Sequence, residues 1–123
     1  MKYLILIYGN PASREIWAGL SEGRRKEAVQ GYVALNQELA ATGEGIVHEA
    51  LADPALSKRV TVRDGRTLTT DGPFAEVKEQ LAGFYLVDCD NLERAVEHAA
   101  RIPEAAMGLV EVRPIQDLSA LGL

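Results

Sequence analysis

A chain of 123 residues, 47% hydrophobic and 25% charged, has the make-up of one globular domain over 1–123, long enough to bury a core without disulfides or metals as staples. Its net charge of -5, with basic residues scattered among acidic ones, leaves no positive stripe for a phosphate backbone, so no nucleic acid is expected as a partner. The lone Cys89 makes no internal disulfide, no stretch is apolar enough for a membrane span, and the run Tyr3 to Tyr8 is too short for a signal-peptide core; a cytoplasmic protein without a membrane partner is the expectation.

In chain order, "KYLILIYG" reads as a strand whose faces, Tyr3/Ile5/Ile7 and Leu4/Leu6/Tyr8, are both mainly apolar, as in a strand covered on both sides. "PASREIWAGL" is a turn and a short helical piece anchored by Ile16, Trp17 and Leu20. Ser21 then offers an N-cap, and Ala28, Tyr32, Leu35 and Leu39 form a helical stripe that ends at Gly43. "GIVHEAL" is a second strand with mixed faces. After Asp53-Pro54, "RVTVRDGRTLTT" is two β-rich runs joined by Asp64-Gly65, which predicts a hairpin with a type I′ turn. "LAGFYLVDC" is a strand apolar on both faces. Asp90 and Glu93 have the spacing of a capping box for a helix with the stripe Leu92, Val96, Ala99 and Ile102, stopped by Pro103. "GLVEVRPI" closes the chain with Glu111 and Arg113 on one face.

The order is β-α-β, a hairpin, then β-α-β: an α+β fold of ferredoxin-like βαββαβ type with an inserted β-hairpin. In that topology the first and third core strands lie inside, and "YLILIY" and "GFYLV" are the runs apolar on both faces. Two helices cover one face of such a sheet. A second subunit is the simplest cover for the other, so a homodimer forming a dimeric α+β barrel is expected.

The run "VRDGRTLTTDGPFAEVKEQLAGFYLVDCDNLERAVEHAARIP", with "MKYLILIYG" before it and "GLVEVRPI" after it, resembles the YCII-related family, in the branch named for its Asp-Gly-Pro-Phe motif. The resemblance implies the dimeric α+β barrel in a bacterial intracellular setting. Some members of the wider family look like lyases that use a His-Asp pair on small cyclic substrates, whereas the Asp-Gly-Pro-Phe branch is often encoded beside extracytoplasmic-function sigma factors. The first long helix, where the wider family's reactive histidine belongs, contains no histidine here, so that mechanism does not transfer.

Two functional readings therefore stand. In the first, a pocket between sheet and helices binds or converts a small organic molecule, as a lyase- or isomerase-like acid-base enzyme with no cofactor. In the second, the chain is a regulatory module that meets a sigma factor through an exposed helix face. For the first, Asp71 and His48 are the candidate catalytic residues, and Gly72, Pro73, Phe74, Glu76, Lys78, Tyr8 and Tyr85 the candidate ligand-binding ones. The plainer alternatives are a rigid Asp71-Gly72-Pro73-Phe74 turn with Phe74 plugged into the core, an ordinary strand histidine at 48, and core aromatics. His98 is expected to face solvent on a charged helix. No metal is expected, because His48, His98 and Cys89 are far apart in sequence and lack paired ligand spacing.

Overall fold

The computed structural model describes residues 1–123. Strand β1 (Lys2–Gly9), apolar on both sides, runs between two antiparallel neighbours, β5 (Gln80–Asp88) and β6 (Val110–Pro114). Strand β2 (Gly45–Ala50) adds to the free edge of β5, so the sheet order is β2-β5-β1-β6. The two strands read as central are central, and those carrying charge lie at the edges. This is the ferredoxin-like arrangement expected from the order of elements.

Local chemistry sets the helix ends. Helix α1 (Pro11–Gly19) starts from Asn10, whose side chain accepts the Ser13 N–H while Ser13 Oγ accepts the Asn10 N–H, and Pro11 fits the first turn. Helix α2 (Glu22–Thr42) is capped by Ser21, which accepts the Arg24 N–H at 3.2 Å, and it ends at Gly43 with φ 75°, as predicted. Helix α3 (Leu92–Ala100) corrects one expectation. Its cap is Asn91, extended at φ -157° and accepting the Arg94 N–H at 2.9 Å, rather than Asp90.

The buried face of α3 is also rotated from the predicted stripe. Ala95, His98, Ala99 and Ile102 are buried, while Leu92 and Val96 are exposed. The small Ala95 and Ala99 let the helix approach the sheet closely, and His98 is drawn in by a carboxylate, so it is 1% exposed rather than solvated. The core joins Tyr3, Ile5 and Ile7 of β1 and Tyr85 and Val87 of β5 to Leu35 and Leu39 of α2 and to the inner side of α3. Each large aliphatic group buried there contributes roughly 1.5–3 kcal/mol. Gly83 of β5 permits a further close approach: a Cβ there would sit 2.9 Å from the Glu49 carbonyl oxygen of β2.

Helix-packed core residues all come from one face of the sheet. The opposite face carries Leu4, Leu6, Phe84 and Leu86, with Glu111 and Arg113 toward its β6 edge. Strands β3 (Lys58–Arg63) and β4 (Arg66–Asp71) form a separate two-stranded hairpin, with Val60, Val62 and Leu68 exposed. Its turn has φ 52° at Asp64 and φ 74° at Gly65, both positive as type I′ requires. No helix is long and apolar enough to cross a membrane.

Candidate functional site

The largest concavity opens between the sheet and α2. Residue 32 closes one turn of the α2 stripe, and Asn36 follows four residues later on the same face. Both reach toward β5, where Tyr85 donates its hydroxyl hydrogen to Asn36 Oδ1 at 2.6 Å. Tyr32 donates to Glu104 Oε2, which stands in the 3-10 turn Pro103–Met107 after α3. Register pairing of β2 with β5 sets His48 beside Tyr85, and the two rings stack with centroids 5.0 Å apart and planes 26° apart.

Together with Trp17 of α1 and Gly83 and Ala50 at the sheet edge, these groups enclose a cavity of about 590 Å³. An adjoining cavity of about 480 Å³ shares Trp17, Ala82 and Glu104 and is lined on its other side by Tyr8, Arg14 and Met107. Burial, reinforced by the bond to Glu104, pushes the Tyr32 hydroxyl far above its ordinary value, so it stays a donor. Burial likewise raises Tyr85, with the Glu104 charge adding to it. A protonated phenol on a carboxylate, an amide and an imidazole around an apolar hollow can orient a polar ring and move a proton on it.

The residues singled out from sequence separate into two groups. His48 and Tyr85 line this cavity, and His48 faces the helices because its register partner is the core residue Tyr85. Tyr8 borders the adjoining cavity and donates to Glu111 Oε1 at 2.8 Å. The Asp71-Gly72-Pro73-Phe74 turn lies elsewhere. The Asp71 side chain, read from sequence as a candidate acid, is 82% exposed, pairs with Lys58 across the hairpin, and borders neither cavity.

Gly72 serves as punctuation, with φ 81° and its N–H donated to the Ser57 carbonyl at 2.8 Å. Phe74 does not plug the core. It is 58% exposed, under the Arg59 guanidinium 5.0 Å from its ring, and with Pro73 it borders a smaller hollow against Leu51 and Pro54. Glu76 and Lys78 are exposed and touch neither main cavity. Tyr32, Asn36, Trp17 and Glu104, which line the cavity, were not among the candidates read from sequence. Asn36 carried a signal, since it sits one helical turn after Tyr32 and beside Leu35 on a stripe that is otherwise apolar.

A second polar cluster lies at the other end of the sheet. Glu44, just before β2, receives both the Nε and an Nη of Arg94 at 2.9–3.3 Å, and His98 Nε2 stands 3.0 Å from Oε1. Hydrogen bonds from Arg94 above all hold the Glu44 carboxyl down at about 2, against the upward push of burial. The neighbouring Cys89 thiol is pushed up to about 11, chiefly by burial and then by Glu44. Glu44, Cys89 and His98 bring one donor atom each within 4.8 Å, a metal-ligand set that spacing along the chain had hidden. The Arg94 guanidinium already occupies the carboxylate, however, and a protonated thiol is a poor ligand, so the cluster reads as a hydrogen-bonded tie between α3 and the sheet.

Comparison with known proteins fits this architecture. The 5-chloro-2-hydroxyhydroquinone dehydrochlorinase TftG of Burkholderia phenoliruptrix, solved with 2,5-dihydroxybenzoquinone, superposes with a TM-score of 0.52 at 15% identity, over 94% of each chain, and shows the shared fold. An uncharacterised protein of Rhizobium meliloti is 31% identical over 117 residues, covering 94% of this chain and 92% of that one. The family model of the YCII-related domain matches residues 1–119. With the strand order, the paired helices and the inserted hairpin all accounted for, the chain belongs to the YCII-related domain family.

Proposed function

We propose that this protein binds or converts a small organic molecule in the cavity between the sheet and α2, working as a homodimer. The observation that carries the reading is the 590 Å³ hollow with Tyr32, Asn36, His48, Tyr85 and Glu104 converging on it, a size and polarity typical of sites for metabolite-sized ligands. In this reading His48 and the Tyr32–Glu104 pair are the acid-base groups, and the apolar walls exclude water. The dihydroxybenzoquinone held by TftG supports the idea that a scaffold of this shape accommodates a polar six-membered ring. A regulatory module acting through a flat surface is the weaker reading, because the seam between sheet and helices is hollow rather than filled.

The test is to purify the protein without denaturation, release bound small molecules, and compare them by mass spectrometry with those from Ala50→Phe, which fills the hollow from the β2 edge. The expected outcome is a compound, or a compound class added back, that is retained by the parent and lost from Ala50→Phe with the fold intact. Equal retention by both, or retention by neither across a metabolite screen, overturns the reading.

A further inference from the structure

Charge decides which small molecules such a cavity admits. His48 and Glu104 line it, with no lysine or arginine, whereas Glu49, paired with Phe84, turns its side chain to the opposite face of the sheet. Glu104 takes part in no ion pair with the protein. The Glu104 carboxylate has the Tyr32 hydroxyl as its donor, a neutral partner that leaves its charge uncompensated. Arg14, the cation that lines the adjoining cavity, directs its guanidinium to Gln80 Oε1 at 3.2 Å. With Glu104, the rings of Trp17, Tyr32 and Tyr85 line the cavity.

Aromatic faces carry negative quadrupole charge, and in a partly dry hollow they attract a cation in concert with a carboxylate. An organic anion in the same place meets the like charge of Glu104 and no lysine or arginine. We infer that the cavity between sheet and α2 selects a small organic cation, an amine or ammonium carried on an apolar or aromatic body, over neutral and anionic molecules of the same shape. This rests on the ligand-binding reading of the cavity and adds the chemical class.

Trp17 is the chain's one tryptophan and lines the cavity, so its emission reports occupancy directly. Phenethylammonium, phenethyl alcohol and phenylacetate share a skeleton and differ in charge. Titrated into the full-length protein at neutral pH and low salt, the ammonium is expected to bind about tenfold or more tighter than the alcohol, and phenylacetate weakest. Glu104→Gln keeps an acceptor for Tyr32 but removes the charge, so it should bring the ammonium's affinity close to the alcohol's. If Glu104→Gln fails to fold, the ranking of the three probes on the parent decides.

Equal binding of alcohol and ammonium by the parent, preference for phenylacetate, or an undiminished preference in Glu104→Gln overturns the cation selectivity while leaving a ligand site in place. If none of the three probes perturbs Trp17 and dialysis finds none bound, the cavity is not a site for such molecules, and the selectivity falls with it.

Discussion

At the scale of single residues, the buried polar groups sort by what satisfies them. Glu44 collects donors from α3, and its carboxyl is held at about 2 instead of the ordinary 4.5, so folding favours its ionised form. The stability this provides is fully present above about pH 4.5 and drains away as pH falls toward 2, because the unfolded chain takes up the proton first. Glu44→Gln should therefore lower the urea midpoint at pH 7 and flatten its decline between pH 5 and pH 2, measured by circular dichroism on the parent and variant together. An unchanged acid limb would mean that the Arg94 bond does not outlast exposure to solvent. His98 belongs to the same tie, and its position explains why a histidine on a charged helix is buried: Glu44 offers its Nε2 a partner inside.

At the scale of elements, helix boundaries follow the residue whose backbone is extended and whose side chain folds back. Asp90 and Asn91 are both good capping types, and the spacing to Glu93 favoured the first. The structure selects Asn91, from which the side chain reaches the Arg94 N–H. Asn91→Ala should then cost about 1 kcal/mol of unfolding free energy, with Asp90→Ala well below that, as read from urea denaturation. A larger loss at Asp90 would restore the original boundary. The hairpin shows the opposite case, in which two residues sufficed: Asp64-Gly65 both take positive φ, and the strand pairing of Lys58 with Asp71 through Arg63 with Arg66 follows from that turn.

At the scale of the molecule, one face of the sheet is covered by helices and the other presents Leu4, Phe84 and Leu86, with Val47 exposed at the β2 edge. The hairpin adds Val60, Val62 and Leu68, and a bare two-stranded hairpin is marginal in water. A second copy packed on the open sheet face would cover that face. The parent should sediment as a dimer at micromolar concentration, and Leu86→Asp should shift it toward monomer with loss of stability, since a charge would be buried in an apolar interface. A folded, monomeric parent protein would remove the cover assigned to that face.

Strand order, the I′ hairpin and the caps of α2 were legible in the sequence by itself, because each depends on a periodicity or a dihedral that neighbouring residues set. The rotation of α3 was not, since Leu92 and Val96 are as apolar as the buried Ala95 and Ala99, and only the closeness of helix to sheet favours the smaller pair. The site divided in the same way. His48 and Tyr85 could be named from a strand that carried unusual residues, yet their partners Asn36, Glu104 and Trp17 come from three other segments and meet only when β2 pairs with β5 and α2 crosses above them. Asp71 stood out in sequence because a turn of Asp, Gly and Pro is conspicuous. Where its carboxylate sits was decided only by how the hairpin projects, which leaves it exposed beside Lys58 and away from the two cavities along the helices.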